Sequence, residues 1–514
     1  MAWGTNLARE SRTLEWASGR ALARDSRDSR EDRDAATPLA VGDRALHITV
    51  KPWDPSVGPD IPLAGRCPEE LDTQMIRTSP EERRRLETIN RGQIAALQLQ
   101  RLNILLQAIL PRNEFYARKL AGVSLPVQSH AELGRIPFTL KDELVGAGHP
   151  MDLAGNHTYP VERYSRYHRT SGTRGRPLVV LDTDEDWQWW IENWQFVLDA
   201  AQVRGDDRVF LAFSFGPFIG FWSAHDAAAA RGALVIPGGG MNTPARLDLL
   251  RLSRATVLCC TPSYALHLAE VASAQGLDLS ATDVRRIIVA GEPGGSIPSL
   301  RERIESAWDA KVIDHAGATE IGPWGYSDPN HRGLHVLETE FLAEFLAVET
   351  NRPAEEGELA ELVLTTLGRA GCPVIRYRTG DLVRPIWEHD SPVRFVLLAG
   401  GVLGRADDMV TIRGVNIFPS ALDQILREFP EITEYRITAH RPGAMDMLTI
   451  EIEDRLCQPE RVAQEMQLRL GLQMEVRVVP SGSLPRFEGK GRRFVDQRAC
   501  YVNRTGTRPS GPTT

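Results

Sequence analysis

Tyr167-His168-Arg169-Thr170-Ser171-Gly172-Thr173-Arg174-Gly175-Arg176-Pro177 is the stretch on which the reading of this chain turns. Three hydroxyl residues, two glycines and two arginines fall between Thr170 and Arg176, and an apolar run from Leu178 to Leu181 comes next. Glycines let backbone N–H groups converge, hydroxyls add donors and arginine supplies fixed positive charge, so the stretch is suited to wrapping an anion. Taken alone it reads equally as a surface hairpin turn. Its spacing is not the GxxxxGK[ST] of a Walker loop, which excludes that class.

The rest of the chain decides between the two. At 514 residues it is too long for one ordinary core, so two or more domains are expected. An apolar content of 42% and a charged content of 25% are those of a globular protein. The net charge of −8 argues against a general nucleic-acid binder. No apolar run reaches the roughly eighteen residues of a membrane span, and the N-terminus has no continuous apolar segment of the secretory kind. The six cysteines (Cys67, Cys259, Cys260, Cys372, Cys457, Cys500) form no CxxC pair, so buried thiols are expected rather than disulfides or a zinc site. That usage fits a reducing cytoplasm.

Residues 1–75 read as an extension outside any core: 20–34 is serine-rich with mixed charge, and Pro52, Pro55, Pro59 and Pro62 break any regular element after it. Order begins at Ser79-Pro80-Glu81-Glu82, a helix start. From there Leu86, Ile89, Ile94, Leu97, Leu102, Leu105 and Ile109 predict a continuing helical run that Pro111 ends. A helix near 115–120 and the segment Ile136-Pro137-Phe138-Thr139-Leu140-Lys141 come next. Tryptophan-rich 184–201 reads as a helix, and 208–213, 233–236, 256–260, 286–290 and 311–314 as short strands. Strands alternating with helices imply parallel sheets covered by helices, with ligands at the strands' C-terminal ends. Two of those ends lead into Gly291-Glu292-Pro293-Gly294-Gly295 and His315-Ala316-Gly317-Ala318-Thr319-Glu320. Segments 358–365 and 373–377 read as a meander, with Thr379-Gly380-Asp381 just beyond it. After Gly404-Arg405-Ala406-Asp407-Asp408 come short strands at 409–412, 435–439, 448–452 and 475–479, with helices after Ser420 and Pro459. The last loop holds Lys490 between Gly489 and Gly491.

In this order the pieces resemble the adenylate-forming (acyl-CoA synthetase) superfamily, and within it the phenylacetate–CoA ligase branch. Thr170 to Pro177 looks like that family's TSGTTGxP loop, Ala316 to Glu320 like its YGxTE motif, and Tyr377-Arg378-Thr379-Gly380-Asp381 like its YRTGD motif. Arg405 to Asp408, with Arg413-Gly414-Val415-Asn416, looks like its hinge, and Gly489-Lys490 like its catalytic-lysine motif. The resemblance spans roughly 79–500. It implies an α/β fold: a large domain of helix-covered, mostly parallel sheets over 76–403, a small mobile α+β lid over 404–503, and a tail over 504–514.

The resemblance also implies roles. Thr170, Ser171, Gly172, Thr173, Gly175 and Arg176 would hold the β- and γ-phosphates of ATP, Glu320 a Mg²⁺ ion, and Thr319 the α-phosphate. Asp381 would hold the ribose, with Arg405 at ribose or phosphate. Glu292, Pro293 and Ala316 would border the adenine and acyl sites. Lys490 would bridge the incoming carboxylate and the α-phosphate. Asp407 would be the pivot after which Arg413 and Gly414 admit coenzyme A. Phe213, Phe215 and Gly216, with Pro217, Phe218 and Trp222 near them, would line a pocket for an aromatic acid. Singly, Glu320 reads as a helix-start charge, Asp381 as a turn residue, and Arg405 with Asp407 as a surface ion pair. The implied partners are a small carboxylic acid, ATP and CoA, without nucleic acid or membrane, and a homodimer is allowed. The alternatives are transfer to a carrier-protein thiol, or a non-catalytic nucleotide-binding member of the fold. One departure stands out. Where the family carries a tyrosine to stack on adenine, this chain has Ala316. Either His315 beside it supplies part of that aromatic face, or nucleotide binding weakens by about 1–3 kcal/mol.

Overall fold

The computed structural model describes residues 76–145, 153–170, 177–213, 215–328, 330–406, 410–412, 415–441, 446–486 and 493–498. The expected N-terminal extension and C-terminal tail lie outside the described residues.

Ser79 caps Pro80–Thr88, its hydroxyl accepting from Glu82 N at 3.2 Å. The apolar spacing predicts one continuing run, but two helices form. Asn90 starts a second, Arg91–Ile109, through a reciprocal capping box: Gln93 N donates to Asn90 Oδ1, and Asn90 N to Gln93 Oε1, both at 3.0 Å.

A nine-stranded sheet forms the centre. Five parallel strands run side by side in the order Leu234–Pro237, Arg208–Leu211, Val257–Cys260, Arg286–Ala290, Lys311–Ala318. Gly322–Ser327, Gly333–Val336, Leu397–Ala399 and Pro385–Ile386 extend the sheet antiparallel. The parallel strands read as unbroken apolar runs because both faces are covered. Val209, Leu211, Val257, Cys259, Ile288 and Ile313 pack with Trp190 and Trp194 of the helix Asp184–Ala200. Their neighbours Phe210, Leu258, Cys260, Ile287, Val289 and Val312 pack on the other face, against Thr243–Leu252, Pro262–Ala274 and Pro298–Trp308. Cys259, Cys260 and the more distant Cys372 are buried free thiols, and burial pushes the Cys259 thiol up to about 12.

The chain leaves Arg208–Leu211 for one neighbouring strand and returns on the other side of it. That order opens a crevice at the strand's C-terminal end, the usual ligand position in open α/β sheets. The loop from Ala212 to Phe218 starts there.

Lys311–Ala318 is longer than the sequence suggests. Gly322–Ser327 returns to pair with it antiparallel, so Ala316 and Gly317 lie in a strand and Glu320 sits in the turn, not at a helix start. A second, antiparallel sheet has the order Phe341–Ala347, Ala360–Thr366, Tyr377–Val383, Gly404–Arg405. The expected meander is therefore shifted: Arg376 takes a positive φ of 49°, and the strand begins only after it.

Beyond Arg405 a separate sheet forms in the order Glu475–Val478, Met447–Asp454, Ile432–His440, Phe494–Asp496, covered by Pro419–Arg427 and Pro459–Leu470. Alternating residues Tyr435, Ile437, Ile450 and Ile452 face Leu422, Ile425, Val462 and Met466 in its core. A short hairpin, Val410–Ile412 with Val415–Ile417, precedes it.

Candidate active site

Arg166–Arg169 and Val179–Asp182, the strands on either side of the glycine-rich stretch, pair antiparallel as a hairpin. Its base is closed by Thr170 N donating to Leu178 O and Leu178 N to Thr170 Oγ1, both at 2.9 Å. Arg169 N donates to Pro217 O at 2.7 Å, joining this hairpin to the crevice loop. Ser171, Gly172, Thr173, Gly175 and Arg176 lie outside the described residues.

The far end of the hairpin is anchored by a residue to which the sequence motifs assign no role. Arg369 is fully buried, its Nη2 2.6 Å from Asp182 Oδ1 and its Nη1 donating to Thr319 O at 3.2 Å. Trp190 Nε1 donates to the same Asp182 oxygen at 3.2 Å, and its ring lies 5.3 Å from the guanidinium. Burial would raise the Asp182 carboxyl, but the charge and hydrogen bonds of Arg369 and His168 together outweigh it and hold the group below the ordinary aspartate value. Arg369 thus ties the hairpin to Thr319. Its loop is drawn onto the start of Asp184–Ala200 by Asp186, which accepts from Ala370 N at 2.8 Å and Gly371 N at 3.1 Å. A Cβ on Gly371 would overlap Asp186 Oδ2, so glycine is required.

Glu320 lies one turn beyond. Tyr377 OH donates to Glu320 Oε1 at 2.9 Å, and Lys141 Nζ is 3.4 Å from the same oxygen. Burial alone would raise the Glu320 carboxyl, but Lys141 and the hydrogen bonds outweigh it, leaving the group ionised below its ordinary value. Burial and the Glu320 carboxylate together push the Tyr377 phenol up, so it remains a donor. Lys141 arrives here because Thr139 bridges in parallel to Tyr377: Thr139 N donates to Arg376 O at 2.9 Å, and Arg378 N to Thr139 O at 3.0 Å. The Arg376 guanidinium sits 4.1 Å above the Phe138 ring and fixes the segment.

Asp381 lies on the Tyr377 strand. Its register partner is Arg405, whose Nη1 donates to Asp381 Oδ1 at 3.0 Å. Arg405 is therefore paired across the sheet with Asp381. Asp407, Arg413, Gly414 and Lys490 lie outside the described residues.

On Lys311–Ala318, His315 and Ala316 point to opposite faces. The His315 ring is buried 4.3 Å from that of Trp194, and its Nδ1 donates to Gly325 O at 2.7 Å. Burial pushes its pKa down to about 4, so it is neutral. Ala316 lies opposite Gly325. In the crevice loop, Phe215 packs edge-on against Trp222 at 4.7 Å, and Trp222 Nε1 donates to Gly216 O at 3.0 Å. Phe213 packs edge-on against Phe221 at 5.4 Å. Phe218 is 41% exposed, so ordinary core packing does not account for it. Glu292 accepts from Ser263 N at 2.8 Å, in the first turn of Pro262–Ala274, and its charge reaches Arg427 at the end of the helix Pro419–Arg427. Pro293 borders a cleft with Ser296, Gly400, Val402, Leu403 and Asp423.

The structure thus sets Glu320 against Tyr377, Asp381 and its partner Arg405 further along the Tyr377 strand, and Thr319 one arginine away from the far end of the hairpin. Lys141 and Arg369 join them. The first ends the segment that begins at Ile136, and nothing in that segment marks the lysine as part of a site. The second is a lone arginine between glycines that offers no periodic signal. Among the described residues no cluster of three acidic, histidine or cysteine side chains forms a metal cage, and no helix is long and apolar enough to cross a membrane.

Residues 414–498 match the AMP-binding enzyme C-terminal domain. The phenylacetate–coenzyme A ligase of Thermus thermophilus is 32% identical over 444 residues, covering 80% of this chain and 98% of that enzyme. That of Escherichia coli is 31% identical over 436 residues, covering 80% and 97%. Among solved structures, 2-hydroxyisobutyryl-CoA ligase in the postadenylation state, in complex with R3-HIB-AMP, matches with a TM-score of 0.76 at 27% identity, over 83% of this chain and 95% of its own. The same ligase in its thioesterification state, with 2-HIB-AMP and CoA, matches at 0.62 and 28% identity over the same shares. The sheet and the C-terminal module are those of an adenylate-forming enzyme. The chain belongs to the phenylacetate–coenzyme A ligase family of AMP-forming acid–CoA ligases.

Proposed function

We propose that this chain activates an aryl or arylacetic acid in two steps: adenylation with ATP, releasing pyrophosphate, and then transfer of the acyl group to the thiol of coenzyme A. The observation that carries the reading is the Glu320 carboxylate, held by the Tyr377 hydroxyl and Lys141, with the Asp381–Arg405 pair further along the same strand. The aromatic preference rests on the named relatives and on Phe213, Phe215 and Trp222 at the crevice.

In the first step the acid's carboxylate oxygen attacks the α-phosphorus of ATP. Negative oxygens must approach one another, so the protein's task is charge neutralisation and positioning. Thr170, Ser171, Gly172, Thr173, Gly175 and Arg176 hold the β- and γ-phosphates, and Thr319 the α-phosphate. Asp381 accepts from the ribose hydroxyls while Arg405 orients it. Lys490 bridges the two reacting groups. Glu292, Pro293 and Ala316 border the nucleotide and acyl sites. Glu320 suits Mg²⁺: it is ionised and nearly buried, and it stands as a lone carboxylate, as expected where phosphate oxygens supply other ligands. When bound, the ion neutralises phosphate charge. Tyr377 orients the Glu320 carboxylate, and Lys141 balances its charge.

For the second step Asp407 serves as the pivot about which the C-terminal module turns, bringing Arg413 and Gly414 to the coenzyme A side. The closer match to a postadenylation state than to a thioesterification state supports reading the present arrangement as belonging to the first step.

Pyrophosphate–ATP exchange over a panel of aryl, arylacetic and short aliphatic acids tests the reading. Exchange with the aromatic acids is expected, together with CoA-dependent release of AMP. Exchange with no acid refutes the adenylation reading, and exchange with aliphatic acids alone refutes the substrate class. Lys490→Ala should abolish exchange and spare thioester formation from supplied acyl-adenylate. Asp407→Pro should do the reverse.

A further inference from the structure

The C-terminal sheet contains an arrangement that stability alone does not favour. Glu434 and Glu453 are facing partners on Ile432–His440 and Met447–Asp454, beside a register shift, and both are buried. Like charges placed directly opposite each other across a strand pair are unfavourable, and buried ion pairs are poor sources of net stability. Each carboxylate is nonetheless fully engaged.

Glu453 accepts from Gly482 N at 2.9 Å, Leu484 N at 2.8 Å, and both terminal nitrogens of Arg486 at 3.1 and 2.8 Å. Burial would raise its carboxyl, but these donors outweigh it and hold the pKa at about 2. Glu434 takes Arg493 through Nε at 2.5 Å and Nη2 at 3.0 Å. Arg493 O accepts from Ile437 N at 2.7 Å, and its guanidinium lies 5.4 Å from the Tyr435 ring. Arg486 and Arg493 are the two ends between which the sequence carries Phe487-Glu488-Gly489-Lys490-Gly491-Arg492. Both ends of that segment are therefore pinned to adjacent strands by forked guanidinium–carboxylate pairs, whose geometry fixes direction as well as distance. Arg486 also lies 3.6 Å from Glu270 on Pro262–Ala274, so one end of the segment contacts the large sheet's helical cover.

We propose that Glu434 and Glu453 are positioning residues for the adenylation step: through Arg493 and Arg486 they clamp both ends of the segment that carries Lys490. This rests on the role given above to Lys490. A long flexible lysine is useful at a reacting centre only if its backbone is held, and a displacement of about 1 Å at a catalytic group costs about 100-fold. The facing carboxylates hold Arg486 and Arg493, the residues on either side of it.

The test uses the full chain with Glu453→Gln and Glu434→Gln, which keep shape and lose charge, and Lys490→Ala in parallel. Each Gln variant should lower pyrophosphate–ATP exchange by about 10- to 100-fold. Thioester formation from supplied acyl-adenylate should stay within about threefold of the parent, since Lys490 serves only the first step. Backbone hydrogen exchange at 481–486 and 493–496 should accelerate while that of 447–452 does not. If a Gln variant fails to fold, Arg486→Gln and Arg493→Gln, at the less deeply buried partners, should give the same split. Equal loss in both half-reactions, or unchanged exchange in a folded variant, overturns the clamp. Should Lys490→Ala leave pyrophosphate exchange intact, it is the Lys490 role that falls, and the clamp's link to adenylation with it. A lysine effect without a glutamate effect overturns the clamp alone.

Discussion

Arg369→Met removes the cation that the buried Asp182 carboxylate and the Thr319 carbonyl share. Breaking a buried pair from one side leaves an uncompensated charge and costs about 3–5 kcal/mol. Trp190 Nε1 remains 3.2 Å from Asp182, which places the expected loss near the lower end, about 3 kcal/mol. The pH dependence has a definite sign. In the parent, Asp182 has a depressed pKa, so its contribution is present above the unfolded carboxyl value of about 3.9 and is lost as pH falls through the folded value. Without Arg369, burial dominates and the folded pKa rises. The variant's penalty therefore grows as pH rises above about 4. Asp182→Asn combined with Arg369→Met removes both charges and should recover most of the loss, because replacing a buried pair entirely is close to neutral. Urea unfolding followed by tryptophan fluorescence at pH 5 and pH 8 reads this directly, since Trp187, Trp190 and Trp194 lie in the same core. The KM for ATP should rise in the single variant, as the far end of the hairpin and Thr319 lose their common tie. A single variant within about 1 kcal/mol of the parent at pH 8, or a double variant no better than the single, refutes the assignment.

Other perturbations draw on the same geometry. Burial pushes the Asp314 carboxyl up to about 6, its hydrogen bond from Ser296 Oγ at 2.5 Å notwithstanding. The folded chain therefore holds that proton longer than the unfolded one, and stability falls as pH rises from about 4 to about 6. Asp314→Asn should raise the thermal midpoint at pH 8 and change little at pH 4, which paired melting curves would check. Glu320→Gln keeps the Tyr377 hydrogen bond and loses the charge. It should cut pyrophosphate exchange by about 100-fold and shift its Mg²⁺ dependence to higher concentration, read by metal titration. Gly371→Ala drives a methyl into Asp186 Oδ2 and the Tyr164 ring, and should destabilise by about 1–3 kcal/mol in the same urea assay.

Much of the fold is legible in the sequence because apolar runs of four or five residues separated by amphipathic stretches have few other solutions. The five parallel strands appear within one or two residues of their expected positions, save that Lys311–Ala318 runs on past its expected end. Where the reading slips, a local interaction decides. Asn90 divides one apolar stripe into two helices through a capping box. Gly322–Ser327 prolongs Lys311–Ala318 by pairing back onto it, and the positive φ of Arg376 delays the strand that carries Tyr377. At the site, the sequence singles out Thr319, Glu320, Asp381 and Arg405 because each belongs to a short motif of distinctive composition, although Asp381 and Arg405 lie in paired strands. Arg369 and Lys141 escape, because what makes them part of the site is a contact across more than 170 residues of chain with Asp182 or Glu320. Neither a fully buried arginine nor a lysine aimed at a carboxylate leaves a periodic trace. The Glu434 and Glu453 pair is equally silent: in sequence both are ordinary charged residues in amphipathic strands.

The geometry of Lys311–Ala318 decides between the two readings of the missing aromatic face. If His315 were to take the place of a tyrosine, its ring would have to reach the face that Ala316 occupies. Successive residues of a strand point to opposite faces, and His315 is on the buried one. Its ring lies against Trp194 and its Nδ1–H is spent on the Gly325 carbonyl, so turning it outward would break a buried hydrogen bond and open a void. His315 is therefore a core residue, and the face at position 316 is left without a ring. Directly opposite, Gly325 has no side chain, so a ring on residue 316 meets none from that position and has only the partly buried core contacts of Ala316 to displace. Ala316→Tyr should then fold normally and lower the KM for ATP by about 5- to 150-fold, the equivalent of about 1–3 kcal/mol of stacking, while the KM for the acid changes little. His315→Gln, by contrast, should lower thermal stability with no specific effect on nucleotide binding. An Ala316→Tyr enzyme that folds but binds ATP no better than the parent would mean that adenine does not lie over this strand.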